Sequence, residues 1–325
     1  MVKLGIGISL QYEVATDSRF TFRFHPAQTA QQDVCSEVLS VSRSARAELA
    51  QADGHGQREL HVAAAPGTLN IEYSAIVGIE HSLADPMRLD EVPVPHLPGA
   101  VRPYLQSSPL CPVDSMLPVA TKAFGRLPQG YRRVQAICEW VRERTAFMPG
   151  STPGTTAQEV LLERQGDSQA FAHLMITLCR ALDIPARLVT GIRYGDGSGF
   201  RLGASAFHSH VEAFVGERWY LFDPTGLSPA MGLLRIATVR DASEGAIATI
   251  RGSALADTSW LSIATLSDEA DGGVMPVPLP FAVSTAQASR PATPGNRHMA
   301  CRQAIPMSRS AAGMLAALHP VATAA

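Results

Sequence analysis

The sequence predicts an α+β protein: an N-terminal antiparallel β-sandwich-like domain, then a core of helices packed on an antiparallel sheet, then a disordered tail. Three observations lead there. Apolar residues alternate with a period of two from Val2 to about Glu80, helical spacing holds from about Asp114 to Leu182, and the period then returns to two.

The first domain spans 1–105. Leu4, Ile6, Ile8 and Leu10 alternate, as do Phe20, Phe22 and Phe24, and again Leu69, Ile71 and Tyr73. The stretch Ala52-Asp53-Gly54-His55-Gly56 is turn-forming, and short strands with no intervening helix argue for a sandwich. Val92-Pro93-Val94-Pro95 through Pro103 reads as an extended linker.

The second domain spans 106–270. Asp114 or Ser115 is placed to cap a helix through Met116, Val119 and Ala120. Val134, Ile137, Cys138 and Val141 give Tyr131 to Thr145 one apolar stripe, with Arg132-Arg133 and Arg142-Glu143-Arg144 as its solvated face. Thr155 or Thr156 caps a short helix with Val160 and Leu161. Gly166-Asp167-Ser168 opens a longer one through Phe171, Leu174, Met175, Leu178 and Leu182, closed by Ile184-Pro185 because proline disfavours helix in the residue before it. Arg187 to Ile192, His210 to Val215 and Trp219 to Phe222 read as strands, the last two joined through Gly216-Glu217-Arg218. Residues 271–325 lack sustained periodicity and read as a disordered tail with a weak helix near Ala311 to Leu318.

Lys and Arg total 27 against 29 for Asp and Glu, which gives no electrostatic case for nucleic acid or an acidic membrane surface. Apolar runs are too short to span a bilayer, and the N-terminus enters a strand pattern without a signal-peptide run, so a cytoplasmic location is the expectation. Cys35, Cys111, Cys138, Cys179 and Cys301 show neither metal-ligand nor disulfide spacing and read as small buried hydrophobes. His55, His61, His81, His96, His298 and His319 lack partners at metal-ligand spacing, so no metal and no cofactor is expected.

Three segments carry the chemistry: Ser168 at a helix start, His208 on a strand, and Asp223 closing the next strand. A nucleophile, a base and an acid in that order form a triad plan, and the positive tip of a helix stabilises an anion at its first residues. His173 lies inside the helix and reads as structural; His210 shares a strand face with His208; Trp140 and Trp219 read as core.

From Thr156 to Thr225 the chain resembles the core of bacterial transglutaminase-like proteins, the papain-like thiol acyl-transfer fold. The likeness rests on Phe171-Ala172-His173-Leu174-Met175, on Cys179 through Arg187, on His208 four before Glu212, and on Trp219 near Phe222-Asp223-Pro224-Thr225. Arg235 through Ala242 resembles the segment that follows, and the N-terminal strands resemble the family's β-rich N-terminal domain. The resemblance implies acyl transfer or amide hydrolysis on a peptide or protein substrate, with glutamine or another amide as the reacting group. It places His208 as base and Asp223 as orienting acid, but puts Ser168 where the catalytic cysteine stands and His210 in the usual tryptophan's place. Cys179 is no substitute, because eleven residues of helix set it roughly 16 Å from Ser168. The implied function is a transglutaminase-like protein whose thiol chemistry is absent or changed. A Ser-His-Asp hydrolase on the same scaffold and a non-catalytic peptide-binding module are the alternatives.

Overall fold

A computed structural model describes residues 1–51, 56–149, 154–194, 200–201, 207–265 and 274–286. Seven strands come first: β1 (Val2–Val14), β2 (Ser18–Phe22), β3 (Gln32–Val41), β4 (Ala45–Gln51), β5 (Arg58–Ala64), β6 (Gly67–Ile79) and β7 (Ser82–Ala84). Four helices follow: α1 (Val113–Phe124), α2 (Tyr131–Arg144), α3 (Ala157–Glu163) and α4 (Ser168–Arg180). Then come β8 (Ala186–Arg193), β9 (His208–Val215), β10 (Arg218–Phe222), β11 (Leu233–Val239), β12 (Ala248–Arg251), β13 (Ala254–Thr265) and β14 (Ala282–Ser284).

Two antiparallel sheets form the N-terminal sandwich. One runs β13-β1-β6-β3, with Phe200–Arg201 on the outer edge of β13; the other runs β12-β2-β5-β4. The even positions of β1 from Val2 to Ile8 are fully buried, as the period of two requires of a strand with a packed face. Residues 248–265, assigned from sequence to the second domain, are therefore strands of the first. Ile6 lies opposite Ile263 and Ile8 opposite Leu261. Each fully buried Ile or Leu contributes about 1.5–3 kcal/mol, so the returning strands are held by the same apolar layer as β1.

The second sheet system runs β10-β9-β8-β11, all antiparallel. Val211, Ala213 and Val215 of β9 join Phe171, Leu174, Met175 and Leu178 of α4 in one core. On β11, Leu234 and Ile236 belong instead to the sandwich core. Gln32 clamps this junction: its side-chain amide donates to the Arg235 carbonyl at 2.7 Å, and its carbonyl oxygen accepts from the Arg235 N–H at 2.7 Å. At the centre, Glu212 is buried between Arg187, opposite it on β8, and Arg235. Burial alone would raise its pKa, but the two guanidinium groups hold it at about 2.

Several sequence expectations are corrected. Residues 92–103 are not an extended linker: Val94–His96 and Arg102–Leu105 form 3-10 turns, and Leu97 and Val101 are buried against Phe214 and Trp219. α1 begins at Val113 after Pro112, with no side-chain cap from Asp114 or Ser115. α4 ends at Arg180 rather than Leu182, and Asp183 takes a left-handed φ of 60°. Arg133 is not on a solvated face, because its guanidinium is buried and paired with Glu91. Within the supposed tail, β14 pairs with β7 and is buried; residues 287–325, the helix expected near 311–318 and most of the 52–56 turn lie outside the described residues.

A chain ended after residue 247 loses both returning strands and leaves the β1 edge unpaired. It should bind a hydrophobic dye and show no cooperative urea transition; an unchanged transition would contradict the pairing. A second test concerns His25, which is fully buried against Phe24 and Tyr73 at ring-centroid distances of 4.5 and 4.4 Å, with neither ring nitrogen hydrogen-bonded. Burial, reinforced by Arg58, lowers its pKa from 6.5 to about 3. Between those values the unfolded chain binds a proton the folded chain refuses, so its share of stability is complete above the upper value and is lost as pH falls toward the lower. His25→Phe should flatten the pH dependence of unfolding free energy by up to about 1.4 kcal/mol per pH unit in that window. An unaltered slope would refute the assignment.

Candidate active site

Asp167 sets the start of α4. Its backbone is extended (φ −86°, ψ −173°), and its Oδ1 accepts from the N–H groups of Gln169 and Ala170, both at 3.0 Å. Ser168 is thereby the first helical residue, at the positive end of the helix dipole. Its side chain is buried, and Oγ accepts from the backbone N–H of Ser209 at 3.1 Å. This bond ties the helix tip to β9 beside His208. Among the described residues no hydrogen bond joins Ser168 Oγ to the His208 ring.

His208 opens β9, and Asp223 follows the last residue of β10. The two-residue turn Gly216-Glu217, with φ of 54° and 61°, folds these strands back on each other. His208 Nε2 lies 3.2 Å from Asp223 Oδ1 and 3.3 Å from Thr225 Oγ1. The Thr225 hydroxyl donates to Asp223 Oδ1 at 2.7 Å, so it can only accept from the ring. Both partners therefore call for a proton on Nε2, which leaves the Nδ1 lone pair as the basic site of a neutral ring.

Asp223 is fixed on all sides. Thr225 N–H donates to Oδ1 at 2.9 Å, and Ser228 N–H donates to Oδ2 at 2.9 Å. Burial would raise its pKa, but His210, His208 and Thr225 outweigh that and hold it well below the usual carboxylate range. Thr225, Ser228, Asp167 and Ser209 were not given roles from sequence. For Thr225 the signal was present, since an Asp followed two residues later by a hydroxyl residue is a turn-closing pattern.

The other histidines divide. His173 Nδ1 faces the Thr155 carbonyl at 3.2 Å, and its Nε2 accepts from Ala242 N–H at 3.3 Å, so this ring is structural, as expected. His210 is fully buried, yet among the described residues neither ring nitrogen has a hydrogen-bond partner. Its ring stands edge-on to that of His208, with centroids 4.8 Å apart, and burial lowers its pKa to about 3. Among the described residues, His208, His210 and Asp223 each bring one potential metal-ligand atom to within 4.8 Å of the others.

The chain matches the transglutaminase-like superfamily over residues 119–224 and the bacterial transglutaminase N-terminal domain over residues 2–100. It is 32% identical to the "Putative Cysteine Protease" of Cytophaga hutchinsonii, covering 88% of this chain and 98% of that one, with a TM-score of 0.78. The chain belongs to the transglutaminase-like superfamily. An uncharacterised protein of Mycobacterium leprae is 27% identical over 124 residues, which are 37% of this chain and 44% of that relative's length. A likeness to the periplasmic domain of TgpA from Pseudomonas aeruginosa covers 70% of this chain and 91% of that one, at 16% identity and a TM-score of 0.35, and carries no argument. No helix among the described residues is long and apolar enough to cross a membrane.

For a transglutaminase-like protein the thiols matter, and among the described residues none is at the site. Cys179 lies near the far end of α4, fully buried. Burial pushes the Cys111 and Cys138 thiols up to about 11 and about 12, and Cys179 higher still. A thiol reagent should modify these three only after denaturation. Rapid labelling of Cys179 in the native protein would contradict its assignment as core.

Proposed function

We propose that this protein is of the acyl-transfer or amide-hydrolysis type by descent, with the thiol chemistry lost because Ser168 occupies the nucleophile's place. The observation that carries the reading is the state of the Ser168 hydroxyl: its oxygen accepts from Ser209 N–H, and it shares no hydrogen bond with the imidazole that would have to deprotonate it. A cysteine thiol, with an ordinary pKa of about 8.5, ionises readily at a helix tip beside an imidazole. A hydroxyl does not, and must lose its proton to the base during attack. Two first-turn N–H groups that could serve a developing oxyanion are already taken by Asp167. The substrate class that fits this reading is a peptide or protein presenting glutamine or another amide.

A second reading, a serine hydrolase on the same scaffold, is favoured by one feature. The Asp223–His208 arrangement holds the ring with Nδ1 available as a base. A single comparison separates the two. The wild type and Ser168→Cys are assayed on glutamine-containing peptides, with and without a primary amine, and the wild type is treated with a fluorophosphonate. Turnover confined to the cysteine form, with the wild type lower by on the order of 10⁶ in kcat, is the expected result. Wild-type turnover within about tenfold of Ser168→Cys, or labelling of Ser168 that requires His208, would overturn it in favour of the serine hydrolase.

A further inference from the structure

The unexplained feature of the site is His210. Among the described residues neither nitrogen of this fully buried imidazole is partnered, which leaves a donor and an acceptor desolvated. A buried polar group left in this state calls for a physical reason, and a bound ion that takes the lone pair is one. The alternation of β9 turns His208, His210 and Glu212 to one face, and Asp223 closes the neighbouring strand beside them. Glu212 is committed to two arginines, whereas His208, His210 and Asp223 bring one ligand atom each within 4.8 Å of one another.

We propose that His208, His210 and Asp223 form a binding site for a divalent transition-metal ion of the zinc class, built where the superfamily's thiol centre stood. Two imidazoles and one carboxylate are a donor set that zinc accepts with three protein ligands and at least one position left over. The 3.2 Å between His208 Nε2 and Asp223 Oδ1 is close to the spacing of two ligands on one tetrahedral ion, roughly 3.3 Å for bonds of ~2.0–2.1 Å. The longest separation in the group has to contract by up to about 1.5 Å on that geometry when the ion binds.

The outer contacts suit the assignment. Asp223 is already oriented by Thr225 and Ser228, the kind of support that fixes a metal-ligating carboxylate. On binding, Nε2 gives up the proton it shares with Asp223 and offers its lone pair to the ion, and the ring carries its proton on Nδ1. In that state Nδ1 has no lone pair to offer Ser168. The metal-bound site and the serine-activating site are thus mutually exclusive. Ion binding stands independently of the acyl-transfer reading, because it requires no chemistry from Ser168.

The test uses the full chain after chelator treatment, titrated with Zn2+ by calorimetry and with Co2+ by visible spectroscopy, neither of which reads turnover. The expected result is one equivalent bound, a Co2+ absorption that Zn2+ displaces, and a loss of affinity in His210→Phe exceeding the ~10–100-fold that removing an outer-shell partner costs. Absence of saturable binding, or equal affinity in His210→Phe, would overturn the proposal. Should that variant fail to fold, X-ray absorption on the unmodified Zn2+-loaded protein answers the same question. Two imidazole nitrogens and one carboxylate oxygen at ~2.0–2.2 Å support the site, and one imidazole or none refutes it.

Discussion

The site depends on a carboxylate that cannot move and cannot readily take up a proton. Asp223 is buried and receives hydrogen bonds from the Thr225 N–H, the Thr225 hydroxyl, the Ser228 N–H and the His208 ring. With its acceptor sites used in this way, the charge is stabilised by the folded state and the carboxylate has no slack to rotate. That rigidity passes to His208, whose tautomer is set by Asp223 and Thr225 together. The fold provides the stage: a two-residue hairpin brings the ends of β9 and β10 side by side, and Glu212, paired with arginines on β8 and β11, holds three strands in register.

Against this fixed acid–imidazole pair, the proposed reading puts a hydroxyl, Ser168, in the nucleophile's position. Helix α4 still presents its first residue to β9, and its apolar face still locks into the sheet. What stands at the tip is a hydroxyl that accepts a backbone hydrogen bond. Machinery that suits a pre-ionised sulfur is thereby combined with a group that has to be ionised during the reaction. His210 sets an imidazole with no hydrogen-bond partner among the described residues beside that pair.

Much of this was legible from the sequence because the governing signals are local. The apolar stripe of α2, the Thr156 cap of α3 with Glu159, the start of α4 after Asp167 and the β9–β10 hairpin depend on residues within a turn or two of each other. Ser168, His208 and Asp223 were found through the same local patterns and the superfamily motif. What escaped is non-local. No periodicity in Ala254–Thr265 says that its partner is β1, some 250 residues earlier. Arg133 looks solvated on a helical wheel until Glu91 arrives from a distant segment, and the prolines of 92–103 resemble a linker until Phe214 and Trp219 cover Leu97 and Val101. The His208–His210–Asp223 cluster was hidden for the same reason, since metal-ligand spacing along the chain does not capture ligands on adjacent strands.

Asp223 and Thr225 together hold His208 with its proton on Nε2 and its Nδ1 bare. Long-range 1H–15N correlation spectra of the chelator-treated protein at mildly alkaline pH measure this directly. The expected result is an Nε2-protonated neutral ring for His208 that becomes a mixture of tautomers in Asp223→Ala. A ring protonated on Nδ1 in the wild type, or a tautomer indifferent to Asp223, would contradict it.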